Sequence, residues 1–108
     1  MISEATLNEA TRRLVERFHP AAVILFGSQA RGTADDRSDV DLLVVCPLKP
    51  GEDRVDVWLR MERSLWGLRL GRDIVLMTPE EYERLRRRPG TVAAYAHEEG
   101  KVLYASAA

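Results

Sequence analysis

Cysteine is almost missing from this chain. Cys46 is the only one in 108 residues, so no intrachain disulfide can form. A reducing, cytoplasmic setting fits that scarcity. Amide side chains are as rare, with Asn8 and Gln29 the sole Asn and Gln. No apolar run approaches the roughly 18 residues that a membrane span requires. The first residues carry Glu4 and Glu9 and no long apolar stretch, which argues against a signal peptide. An excess of positive charge is also lacking. The formal net charge is −1 and the pI is about 6.1, so the broad basic footprint of a dedicated nucleic-acid binder is absent. Lysine is scarce within the basic set: two Lys leave fourteen Arg of the sixteen. A hot habitat and a GC-rich genome account for that bias equally well.

What is present is a globular composition, 45% hydrophobic and 31% charged. The length suits one domain with one core, and residues 1–108 are expected to form it. Ser3 to Phe18 has a helical pattern, with Leu7, Ala10, Leu14 and Phe18 on one face and Ser3 as cap. His19-Pro20 stops it, because the residue before proline avoids the α region. Val23-Ile24-Leu25-Phe26, ending at Gly27, is a buried strand. Ser28 to Arg31 is a short helical turn, and Thr33 to Ser38 a polar loop.

Asp39 to Cys46 is a second strand, ended by Pro47, and Lys49 to Glu52 is a turn. Asp53 to Trp66 is a long helix whose apolar face is expected to be Val55, Trp58, Leu59, Leu65 and Trp66. Gly67 and Gly71 frame a turn before a third strand, Asp73 to Met77. Thr78-Pro79-Glu80-Glu81 is a strong helix start, with Thr78 and Glu81 forming a capping box. That helix breaks at Pro89-Gly90. A last helix, Thr91 to Glu98, precedes an edge strand at Val102 to Tyr104. The order α-β-α-β-α-β-α-α-β predicts an α/β or α+β fold, a small mixed sheet with helices packed on it.

The chemistry concentrates in three places. Asp39 and Asp41 are two apart on a strand, so both face one side, roughly 6.6 Å apart along the chain. Mg²⁺ is held by one or two carboxylates together with substrate phosphates. Their bland reading is a solvated strand end. Gly27-Ser28 joins a strand to a helix start, where backbone amides and the helix dipole favour a phosphate. Its bland reading is a turn glycine and a serine cap. Asp73 opens a later strand; otherwise it pairs with Arg72 or Arg69. Arg31, four residues after Gly27, is a phosphate contact or the partner of Asp35 or Asp36.

Taken together, Gly27-Ser28-x-Ala30-Arg31-Gly32, then Ser38-Asp39-x-Asp41-Leu42-Leu43-Val44, then Asp73-Ile74-Val75 resembles the DNA polymerase beta-like nucleotidyltransferase superfamily. The short length resembles its minimal nucleotidyltransferase branch, the MNT-type antitoxins, as does the tail Glu98-x-Gly100-x-Val102-Leu103-Tyr104. The resemblance implies that Gly27 and Ser28 bind the triphosphate of ATP, with Arg31 beside it. It implies two Mg²⁺ ions on Asp39 and Asp41, with Asp73 completing the second metal site or taking the acceptor's proton. The reaction would be nucleotidyl transfer with pyrophosphate leaving, which two metals about 3.5–4 Å apart can promote without a covalent nucleophile.

Small members of that branch pair with a helical HEPN-domain protein and act as antitoxins, moving AMP from ATP to a tyrosine of the toxin. The same role is expected here. Two rivals remain: a binding module without catalysis, and a small-molecule transferase resembling the aminoglycoside enzymes, with an oligomer supplying the missing wall.

The remaining candidates have plainer readings. Cys46 is a buried small hydrophobe, and His19 and His97 lie near helix C-termini with no ligand spacing. Arg13 and His19 match the Arg-x₅-His spacing of HEPN ribonucleases by coincidence, since that fold is all-helical. Trp58 and Trp66 are expected in the core, with a hydrophobic partner surface as the alternative. Arg84, Arg86, Arg87 and Arg88 form a solvated helix face or a docking site for an acidic partner or a nucleic acid.

Overall fold

The computed structural model describes residues 2–33 and 39–107. Its elements run α1 (Glu4–Phe18), β1 (Ala22–Phe26), α2 (Ser28–Arg31), β2 (Val40–Val45), α3 (Arg54–Ser64), β3 (Arg72–Met77), α4 (Pro79–Leu85), α5 (Val92–Glu99) and β4 (Lys101–Ala105). This is the order read from the sequence. The strands form one mixed sheet in the order β3-β2-β1-β4, and helices cover both faces. β1 is antiparallel to β2 and β4, whereas β2 and β3 are parallel. The parallel pair is joined by α3, the crossover helix that such a pair needs. Among the described residues no helix is long and apolar enough to cross a membrane.

Local chemistry sets the ends. Ser3 accepts from the Thr6 amide at 3.2 Å and caps α1. Pro20 denies His19 the right-handed α region, and His19 closes the helix at φ 49° in the left-handed one. Thr78 and Glu81 form the expected capping box at the start of α4.

Alternation along the strands sorts the core in two. Val23, Leu25, Val40, Leu42, Val44, Ile74 and Leu76 face α1 and α3, where Ala10, Leu14, Val57 and Met61 complete the larger cluster. Ile24, Leu43 and Val45 face the other way, against Ala96 of α5, with Val75, Met77 and Tyr82 at the margin. β2 is central and buried on both faces except at Asp41.

The structure corrects the expected apolar face of α3. Val57, Met61, Ser64 and Leu65 are buried, whereas Val55 is 58% exposed and Leu59 38%. The helix carries two apolar stripes, and the one at fourfold spacing (57, 61, 65) takes the core. Trp66 is not core either. It lies beyond the end of α3 and is 68% exposed. Trp58 leans on the border of the sheet, where its indole Nε1 donates to the Ile74 carbonyl at 2.8 Å. Arg54 Nη1 donates to the Leu76 carbonyl at 3.0 Å. These two side chains cover carbonyls that β3, as a border strand, would leave open. Arg13 Nη1 donates to the carbonyl of Ser64, the last residue of α3, and to that of Trp66 beyond it, a structural duty.

Candidate active site

The register of the strands assembles the site. Asp41 is opposite Phe26 of β1 on one side and Asp73 of β3 on the other. One row across the sheet therefore reads Phe26–Asp41–Asp73, and neighbouring strands place such residues about 4.8 Å apart. The row behind it, Ile24–Leu43–Val75, packs under α4 and α5. Asp39 is two residues before Asp41 and so shares its face. Asp39 and Asp73 are exposed and Asp41 is half-buried, so the acids form an open ledge beyond the covered part of the sheet.

Electrostatics marks Asp41 as the strained member. Burial raises its carboxyl pKa above the ordinary 3.8, the charges of Asp73 and then Asp39 raise it further, and Arg31 pulls it back. A cation between these carboxylates would relieve that repulsion. Among the described residues no three His, Cys, Asp or Glu side chains approach closely enough to enclose a metal by themselves. Mg²⁺ takes one or two carboxylates and draws its remaining oxygens from phosphate and water. Asp39 and Asp41 fit this requirement.

Gly27 joins the ledge to α2. Its backbone, at φ 75° and ψ −155°, lies in a region essentially reserved for glycine. A Cβ there would also collide with Asp41 Oδ2. Glycine thus does two things: it turns the chain into α2 and lets that turn press against the carboxylate. Ser28 begins the helix as read from the sequence, and Gly27 is its N-cap, so the bland reading of Ser28 as the cap does not hold. The first turn of any helix has amides without intrahelical partners. Here that turn starts beside Asp41.

Arg31 forms an ion pair with Glu99 of α5 at 3.6 Å. The alternative pairing with Asp35 or Asp36 concerns residues outside the described ones, as does Ser38. Asp73 does not pair with Arg72. Arg72 reaches Glu62 at 3.2 Å and donates to the carbonyls of Leu70 and Glu62.

Sequence reasoning missed Gly71. Its role is space: a Cβ would come within 2.5 Å of Asp39 Oδ1, while its carbonyl accepts from the Val40 amide at 2.8 Å. It also missed the flank of the site, where Phe26, Val92 and Tyr95 line a cleft beside Gly27 and Arg31. The register opposite Asp41 was the only signal for Phe26, and it is invisible before the strands are paired.

The plainer residues behave as expected. Cys46 is buried, its thiol pKa is raised by burial and by Glu52, and Sγ contacts the Phe18 carbonyl at 3.4 Å. His97 meets Arg86 at 3.2 Å and the Tyr82 ring edge-on. Glu83 holds Arg86 and Arg87.

Comparison with known proteins places the fold and the family. No curated protein matches the chain. Among solved structures, a protein of Sulfolobus solfataricus described as a candidate nucleotidyltransferase superposes with a TM-score of 0.65 at 20% identity, over 94% of this chain and 78% of that one. A toxin-antitoxin structure with AMP-PNP gives 0.62 at 22% identity, over 93% and 74%. At these identities the likeness is one of fold. The family model for the nucleotidyltransferase domain matches residues 7–102, which take in Gly27, Asp39, Asp41 and Asp73, and the chain belongs to that family.

Proposed function

We propose that this chain is a Mg²⁺-dependent nucleotidyltransferase that moves AMP from ATP to a hydroxyl, that of a tyrosine on a helical HEPN-domain toxin, and so acts as an antitoxin. One observation carries the reading. Three carboxylates share the open end of one sheet face beside a glycine turn pressed against the middle one, and burial, then the charges of Asp73 and Asp39, raise the pKa of Asp41. Such an arrangement costs stability without a cation and gains from one.

Each residue has a task in that reaction. Asp39 and Asp41 hold Mg²⁺, which when bound neutralises phosphate charge. Gly27, Ser28 and the first-turn amides of α2 hold the β- and γ-phosphates. Arg31 exchanges Glu99 for phosphate. Both partners of that ion pair are more than 40% exposed, so the exchange costs little. Asp73, at the exposed β3 side of the row, accepts the acceptor's proton or completes the second metal site. The acceptor oxygen bonds to the α-phosphorus as the bond to pyrophosphate breaks. The open ledge suits a large acceptor, because a second protein can close it. The toxin-antitoxin neighbour with AMP-PNP supports both the nucleotide and the kind of partner.

The test is direct transfer. The chain is incubated with Mg²⁺ and ATP labelled at the α-phosphate, with and without a helical HEPN-domain protein. Label on a partner tyrosine, absent with the Asp39→Asn, Asp41→Asn double variant, is the expected result. A stable complex that binds ATP and transfers no label would move the assignment to a non-catalytic binding antitoxin or to another acceptor, an aminoglycoside-like small molecule included.

A further inference from the structure

The outward face of α3 carries a pattern that the fold leaves unused. An α-helix turns about 100° and rises about 1.5 Å per residue. Leu59 therefore lies nearly opposite Val57 and Met61, the residues of α3 that take the core. Val55, Asp56, Arg63 and Trp66 fall within about 60° of Leu59, so the five share one stripe. Trp66 stays in line with the helix because its amide donates to the Arg63 carbonyl at 3.1 Å, carrying the coil past Ser64. Its carbonyl accepts from Arg13 Nη1 at 3.0 Å, so the indole stands on a fixed base. Of the six large hydrophobics exposed among the described residues, Val55, Leu59 and Trp66 lie on this stripe, gathered and not scattered.

Charge on α3 is divided in the same way. Arg54 pairs with Glu81, Arg60 with Glu52, and Glu62 with Arg72. Asp56 and Arg63 are exposed, and neither has an ion-pair partner among the described residues. The two unpaired charges of opposite sign thus sit on the apolar stripe, one toward each end.

From this we infer that α3 is the contact of a homodimer, in which two copies pack their α3 helices antiparallel about a twofold axis at Leu59.

The positions along the helix fit that symmetry. Asp56 comes about 4.5 Å before Leu59 and Arg63 about 6 Å after it, on the same side of the stripe. The twofold rotation sets Asp56 of each copy opposite Arg63 of the other. Val55 and Trp66 occupy the other side, about 6 Å before and 10.5 Å after Leu59, so each indole overlies the Val55 of the second copy. Leu59 meets its own counterpart at the centre. A depression of about 380 Å³, lined by Glu52, Asp53, Asp56, Leu59 and Arg63, leaves room on the charged side for a long incoming side chain. Parallel pairing would instead bring each charge level with its own copy, which like charges oppose. α3 packs on the sheet face opposite Asp39, Asp41 and Asp73, so the contact covers neither ledge and does not depend on the reaction there.

One helix pair is a small interface, and the dimer is expected to dissociate at roughly 10–100 μM. Sedimentation velocity on the full chain, at concentrations on either side of that range, reads it. Asp56→Arg and Arg63→Asp should each weaken the dimer by about tenfold or more, since each creates two like-charged contacts. An equimolar mixture of the two variants should recover nearly the unaltered affinity, because every charged contact in the mixed pair again joins opposite signs. Leu59→Lys, which puts two cations on the axis, should break the dimer independently. Circular dichroism checks that each variant folds.

An unaltered chain that stays monomeric throughout would overturn the inference. So would single variants that dimerise as tightly as the unaltered chain, or a mixture of weakened variants that shows no recovery. If a charge variant failed to fold, Leu59→Lys would decide: loss of the dimer supports the α3 contact, and an undiminished dimer overturns it.

Discussion

The two faces of the sheet follow different rules. Toward α1 and α3 the strands present Val23, Leu25, Val40, Leu42 and Val44, all nearly inaccessible, and the helices answer with Ala10, Leu14, Val57 and Met61. Toward α4 and α5 the apolar cluster is smaller, and it stops one row short of the strand ends. There the same alternation that buries Leu43 exposes Asp41 and Asp39. The lesson is one of division. A face packed for stability lets the opposite face hold repelling carboxylates that contribute nothing to folding.

That division can be broken by substitution, most strongly on the chemical face. The Asp39→Asn, Asp41→Asn pair should lower nucleotidyl transfer by roughly 10³-fold or more, the scale of lost metal-ion stabilisation. Its circular dichroism should stay native. Loss of structure in this variant would show that the acids hold the fold, contrary to the division.

Next in size is Leu14→Ala on the packed face. Leu14 is fully buried, and its truncation should cost about 2–5 kcal/mol in urea unfolding. Transfer per folded molecule should be retained, because α1 does not reach the ledge.

Smaller again is Trp58→Phe, which removes the bond to the Ile74 carbonyl at the border of β3 and should cost about 1 kcal/mol. A neutral result would mean that water replaces the indole without penalty.

The smallest effect has the opposite sign. Asp41→Asn should raise the stability of the metal-free protein by about 0.5 kcal/mol, or ~3 °C in Tm. The gain depends on pH in a defined direction. The folded-state pKa of Asp41 is raised by burial and by its acidic neighbours. Below the ordinary value of 3.8 both folded and unfolded forms are protonated and the residue costs nothing. As pH rises through the raised value the cost develops, and it is complete above it. Wild type and variant should therefore unfold alike in acid and diverge toward neutrality. Thermal melts across pH measure this, and a gap that widens on acidification would contradict the raised pKa.

Much of this organisation was legible in the sequence. Gly27-Ser28, Asp39-x-Asp41 and Asp73 carry signatures that depend only on local spacing, and helix ends such as Thr78-Pro79-x-Glu81 announce themselves through capping chemistry. What stayed hidden was set by pairing across the chain. Phe26 reads as one more core residue until its partner proves to be Asp41. Gly71 reads as a turn until β3 is laid beside β2 and Asp39 needs its missing side chain. The face of α3 was misread because both of its apolar stripes satisfy helical periodicity. Only the position of the sheet chooses between them, and Val57 and Met61 win because they point at β2 and β3.

The covering of β3 by Trp58 and Arg54 has a topological consequence. A sheet of this order has two borders at which another strand could add, and side-chain donors already occupy outward carbonyls of one of them. Growth by strand pairing is thereby directed to β4, the border farthest from Asp73. Self-association or capture of an extended segment through the backbone would lengthen the sheet at β4 and leave the approach to Asp73 clear.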